Sequence, residues 1–187
     1  MSISYLQEER VFRLDTPGST YLIALVDEEG FLGHMYYGRR IPDAGMRSLL
    51  RQDPDQPPFR LRGDQTTFLD ELPTEYSGSG LGDFRESCLR VETGEGFRAC
   101  GLTYRSHQIY AGKPALPGLP ATRGGEGDCS TLELVCGDAA LDLEVHLYYT
   151  AYEKLDAICR SARIVNRGSR PVKLDAALSA CLDMDDR

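Results

Sequence analysis

Apolar and polar side chains alternate along most of this chain with a period of two, the repeat of β-strands rather than helices. The pattern predicts strands over 11–14, 20–26 and 31–38. Between the last two, Asp27-Glu28-Glu29-Gly30 reads as a tight turn, because glycine accepts the positive φ that hairpins require. It breaks from 39 to 68, where Asp53-Pro54-Asp55-Gln56-Pro57-Pro58 removes the ladder donors a central strand needs. Strands are predicted again over 84–92, 98–109, 130–136, 141–151, 155–166 and 172–182. The proline-rich segment 112–120 is a crossing loop, and Asn166-Arg167-Gly168-Ser169-Arg170-Pro171 a hairpin turn. Residues 141–149 alternate almost perfectly, so one face of that strand is buried. No amphipathic helix, internal repeat or low-complexity tract interrupts this. The expected class is all-β, an antiparallel sandwich.

Composition narrows the field. The 187 residues are 41% hydrophobic and 27% charged, enough for a folded core. A net charge of -8 argues against nucleic-acid binding, which needs clustered Lys and Arg. No apolar run approaches the roughly 20 residues that cross a bilayer, and the first ten lack a signal-peptide pattern. A cytoplasmic location is therefore expected. The six cysteines (88, 100, 129, 136, 159 and 181) form no C-x-x-C pair and read as reduced, small buried hydrophobes.

Chemistry is sparse. G-x-S-x-G, H-E-x-x-H, P-loop and dinucleotide fingerprints are missing. His34, His107 and His146 stand far apart, each within a strand pattern, and are expected to be structural. The acidic run Asp183-Met184-Asp185-Asp186 reads as a solvated end, with no metal or cofactor expected. Residues 75–85 are denser, with Glu75, Tyr76, Asp83, Phe84, Arg85 and glycines at 78, 80 and 82. Either the backbone there approaches another surface closely, or a glycine-rich hairpin caps the core with Tyr76 and Phe84.

Glu75-Tyr76 followed by Gly82-Asp83-Phe84-Arg85 resembles the amino-terminal domain of the family 36 glycoside hydrolases, the α-galactosidases. The segments 32–38, 104–114 with 118–122, 148–154 and 161–166 resemble the same family in the same order, covering nearly the whole chain. The resemblance implies a β-sandwich of the supersandwich type in front of a (β/α)8 barrel, with a small carboxy-terminal β domain behind. The barrel holds the two carboxylates of a retaining mechanism. The family's Lys-Trp-Asp nucleophile motif has no counterpart in a chain without tryptophan. Residues 1–187 are thus expected to be a partial sandwich with an exposed edge, inactive alone and without catalytic residues of its own.

The resemblance further implies that Asp53 contacts galactose, in a sandwich loop closing a pocket that often belongs to a neighbouring protomer. Gln65, after Asp64, departs from the arginine the family often has there. Asp83 and Arg85 suit structural pairing better than catalysis. The implied partners are galactosides such as melibiose or raffinose, the catalytic barrel, and further copies in a homo-oligomer. The alternative is a stand-alone carbohydrate-binding or structural module.

Overall fold

A computed structural model describes residues 2–26, 28–50, 69, 72–118 and 121–182. Ten strands are described: β1 Ile3–Leu6, β2 Val11–Asp15, β3 Ser19–Leu25, β4 Leu32–Arg39, β5 Leu89–Thr93, β6 Thr103–Ala111, β7 Cys129–Asp138, β8 Leu143–Tyr152, β9 Ile158–Asn166 and β10 Val172–Ala177. They form antiparallel sheets in the orders β1-β2-β3-β4, β6-β7-β8-β9 and the pair β10-β5. The all-β class is as expected, with one 3-10 turn, Met46–Leu49, inside the irregular stretch.

The core lies between the two four-stranded sheets. From the first come Ile3, Phe12, Leu14, Tyr21, Ile23 and Leu32; from the second, Leu132, Leu134, Val145, Leu147 and Tyr149. Leu89, Val91 and Val172 bring the β5–β10 pair onto the same core. Leu147, opposite Leu134 and Ala162, is wholly buried. Strand β8 alternates as expected over 143–149. Leu143, Val145, Leu147 and Tyr149 face inward, and Glu144, His146 and Tyr148 face outward.

The first sheet does not alternate, because both its faces are covered. Every residue of β3 is buried. Its second face carries Val11, Leu22, Ala24 and Met35, packed under Met46, Leu50 and Leu72. A strand buried on both sides needs a continuous apolar run, which Tyr21-Leu22-Ile23-Ala24-Leu25-Val26 supplies.

Several expected boundaries move. Residues 166–171 are not a hairpin turn, since β9 lies in the four-stranded sheet while β10 pairs with β5. Arg167 N–H on the Asp142 carbonyl at 2.8 Å ties the connection to the start of β8, and the chain passes on to a different sheet. Turn residues fix a local bend, not the partner of the next strand. Residues 84–88 lie outside β5, and 155–157 outside β9, where Leu155 is exposed. Strand β1 was not anticipated; only four residues long, it carries too few alternations to register. Phe84 is 90% exposed and caps nothing, whereas Tyr76 is buried as expected.

Leu147→Ala should lower the free energy of unfolding by about 2–5 kcal/mol, read as a drop in the urea midpoint with an unchanged slope.

Candidate functional site

The 75–85 segment packs against residues 98–100. A Cβ on Gly78 would sit 1.9 Å from the Cys100 carbonyl oxygen, so no other residue fits there without moving backbone. Gly80 has φ +83° and passes Ala99 closely. Cys100 N–H donates to the Ser79 carbonyl at 2.8 Å, and the Ser79 hydroxyl to the Arg98 carbonyl at 2.8 Å. The close approach the glycines suggested is real, and the surface approached belongs to the domain itself.

At the start of the segment Glu75 is wholly buried. Its carboxylate accepts from Tyr21 Oη on β3 at 2.7 and 3.0 Å, from Tyr149 Oη on β8 at 2.7 Å, and from His34 Nδ1 on β4 at 3.1 Å. Since a carboxylate only accepts, His34 carries its proton on Nδ1. Arg160 of β9 places Nη1 3.0 Å from Oε1, while Nη2 donates to the Glu75 carbonyl at 2.7 Å. The guanidinium carbon lies 5.1 Å from the centre of the Tyr149 ring.

Burial alone would raise the Glu75 pKa, but the hydrogen bond from His34 and the charge of Arg160 outweigh it and hold the carboxyl below its ordinary value. Burial, followed by the Glu75 charge, pushes the Tyr21 and Tyr149 phenols up, so both remain donors. An ionised carboxylate with its oxygens occupied and no path to solvent is neither a proton shuttle nor a nucleophile. It joins the two sheets.

The far end of the segment reaches Leu69 and Leu72 through Arg85. Asp53, Asp64 and Gln65 lie outside the described residues, as does the acidic run 183–186. The segments flanking 51–68 are described, and arginines clamp both. On the leading side, Arg13 of β2 donates to the carbonyls of Ile41 at 2.6 Å and Pro42 at 3.1 Å. Arg47 donates to the Leu25 carbonyl at 3.0 Å and to that of Val26. On the returning side, Arg85 donates to the Leu69 carbonyl at 2.9 Å and to that of Leu72, and Asp83 holds its Nε at 2.9 Å. Asp83 and Arg85 therefore pair structurally, as the sequence suggested.

The histidines stay apart. His107 meets Tyr104 Oη at 2.7 Å and packs against Phe12, with its pKa lowered by burial; His146 meets Glu133 at 2.7 Å. All six cysteines are free thiols. Among the described residues no cluster of three His, Cys, Asp or Glu is placed to hold a metal. The partners of Glu75 escaped the sequence reading. One signal was available, a lone arginine on the inward register of β9 between Ile158 and Ala162.

A two-layer antiparallel domain bolted through a buried glutamate is a β-sandwich. The comparisons place it: the model of the glycosyl hydrolase family 36 N-terminal domain matches residues 30–187, and the chain belongs to that family. It is 41% identical over 185 residues to the α-galactosidase AgaA of Geobacillus stearothermophilus, covering 98% of this chain and 25% of that protein. The bifunctional α-galactosidase/sucrose kinase AgaSK of Mediterraneibacter gnavus is 37% identical, with 98% and 20% covered. Among solved structures, the family 36 α-galactosidase AgaB of G. stearothermophilus superposes with a TM-score of 0.84 at 39% identity, covering 96% of this chain and 24% of that one. The galactosidase domain of AgaSK gives 0.87 at 36%, covering 96% and 25%. The chain thus spans a quarter of AgaA and a fifth of AgaSK. Among the described residues, no helix is long and apolar enough to cross a membrane.

Glu75→Gln should cost about 3–5 kcal/mol, because it leaves the Arg160 charge buried without its partner. The pH dependence has a definite sign. A carboxyl whose folded pKa is depressed contributes stability above its unfolded pKa and loses it as pH falls through the folded one. Thermal melts of the native chain should therefore fall in temperature below the ordinary glutamate range, with a flatter acid limb in Glu75→Gln. Separately, Arg85→Ala should weaken the returning stem by about 1.5–3 kcal/mol. Faster hydrogen exchange at the Glu75 amide, which bonds the Leu32 carbonyl at 2.8 Å, would report it.

Proposed function

We propose that this chain serves as the amino-terminal, non-catalytic sandwich of a cytoplasmic α-galactosidase that releases terminal α-galactose from oligosaccharides such as melibiose and raffinose. The observation that carries the proposal is the match to α-galactosidases along 98% of this chain but only 25% of AgaA. The retaining pair of carboxylates belongs to a barrel in the remaining length of such enzymes. In this reading the sandwich contributes to homo-oligomer assembly, and the loop bearing Asp53 forms part of the galactose-pocket wall. Two observations support that use of the loop. Arginines clamp its stems onto a fully packed sheet, the rigid base that positioning a sugar-binding carboxylate requires. A carboxylate also accepts hydrogen bonds from two neighbouring sugar hydroxyls.

Strand β10 fits a domain that continues. Among the described residues it pairs only with β5, and Leu174 is 47% exposed. Further chain in the parent enzyme would cover it.

Two measurements test the proposal. The purified 187-residue chain should show no turnover of an aryl α-galactoside, and robust hydrolysis would sink it. Replacing the matching segment of AgaA with this chain should give an active hybrid. In that hybrid Asp53→Ala should reduce kcat/KM by about 10- to 100-fold, the loss of charge-assisted hydrogen bonds to substrate. An active hybrid indifferent to Asp53→Ala would refute the pocket-wall role.

A further inference from the structure

The outward face of the β6–β9 sheet carries a pocket that the galactosidase reading does not use. Residues 113–116 and 121–122 bound, against β8 and β9, an open cavity of about 280 Å³ lined by Lys113, Pro114, Leu116, Thr122, Tyr148 and Ser161, with Thr150 beneath. Antiparallel register sets Glu133, Tyr148 and Ser161 in one row across three strands, and Thr131, Thr150 and Cys159 in the next.

Tyr148 is held in place before any ligand arrives. Its hydroxyl donates to Glu133 Oε1 at 3.1 Å, and the same oxygen meets His146 Nδ1 at 2.7 Å. The His146 ring stands on one side of the tyrosine, near parallel at 16° with centroids 6.4 Å apart. Side chains two apart on a strand share a face, so Thr150 lies on the opposite side of Tyr148 from His146. The cavity is bounded by Tyr148 and Thr150 and so opens onto the ring's other side.

We propose that this pocket is a carbohydrate-binding site that takes one pyranose ring against Tyr148. A sugar ring has an apolar C–H side and a rim of hydroxyls, and the pocket has the complement of each. Tyr148, Pro114 and Leu116 supply carbon surface, Ser161 and Lys113 supply hydrogen-bonding groups around it, and the Thr122 hydroxyl, which donates to Cys159 Sγ at 3.3 Å, is left to accept. The Thr150 hydroxyl is engaged with Thr131 at 2.9 Å and contributes shape. The volume lies at the small end of ligand sites, suited to one ring and not to an extended oligosaccharide. An anion fits less well, because the Glu133 carboxylate stands beside the tyrosine and Arg160, which also lines the pocket, spends its charge on Glu75.

The test is direct binding to the full 187-residue chain by calorimetry and saturation-transfer NMR, with galactose, glucose and melibiose as probes. A saturable signal with Kd on the order of millimolar is expected for at least one of them, typical of a single small ring. Tyr148→Ala should weaken it at least tenfold, Tyr148→Phe should keep it within about threefold, and Ser161→Trp should abolish it by filling the cavity. Melting curves establish that each variant folds; if Tyr148→Ala does not, Ser161→Trp carries the test. The proposal is overturned if none of the probes binds, or if binding survives both disruptive substitutions. It also fails if binding is lost in Asp53→Ala instead, or if inorganic phosphate competes for the site.

Discussion

A carboxylate taken fully out of water must be satisfied completely, and the architecture of this domain is organised around meeting that demand at Glu75. Its partners come from β3, β4, β8 and β9, so neither four-stranded sheet can shift against the other without stranding a buried charge. Apolar contacts between sheets are tolerant of sliding by an ångström; a guanidinium, an imidazole and two phenols converging on two oxygens are not. Replacing such a cluster by hydrocarbon is often neutral for stability. Its value here is to define one arrangement of the two layers.

The same segment does two jobs in eleven residues. Glu75 enters the core at one end, and Arg85 grips the carbonyls of Leu69 and Leu72 at the other, steadied by Asp83. Between them Gly78 and Gly80 let the backbone lie against 98–100. The position of the sheets and the footing of the Asp53-bearing loop are thus mechanically linked through one short connector. Arg13 and Arg47 complete the footing from the opposite side, and Met46, Leu50 and Leu72 fill the space beneath.

Much of this was readable in the residues. Alternating or unbroken apolar runs located nine of the ten described strands, and Gly30, at φ +86°, marked the β3–β4 turn. Proline content marked the irregular stretches. What escaped depends on distance in space. The destination of β10 turns on which sheet has room for it, and Asn166 to Pro171 encode only a bend. The partners of Glu75 are spread from Tyr21 to Arg160, and no local pattern links them. That β3 is buried on both faces was written in its unbroken apolar run, but the covering segment, from Ile41 to Leu50, looks merely irregular. The wall around Tyr148 likewise emerges only once β7, β8 and β9 are aligned.

The cross-sheet cluster also fixes an order of events when the chain is made. Arg160 follows Glu75 by 85 residues, which at about 5–20 residues per second is a delay of roughly 4–17 s on the ribosome. Until β7 and β8 emerge the first sheet can form by hairpins, yet its inner face, with Phe12, Leu14, Tyr21 and Ile23, lacks most of the surface it packs on. A nascent chain of this design spends most of that interval with a sticky half-sandwich, and all of it with an unneutralised acid at its centre. The acid is well suited to the wait. As long as it keeps its water, it opposes premature closure of that surface on a wrong partner, and gives up its hydration when the arginine, the last of its partners in sequence, arrives.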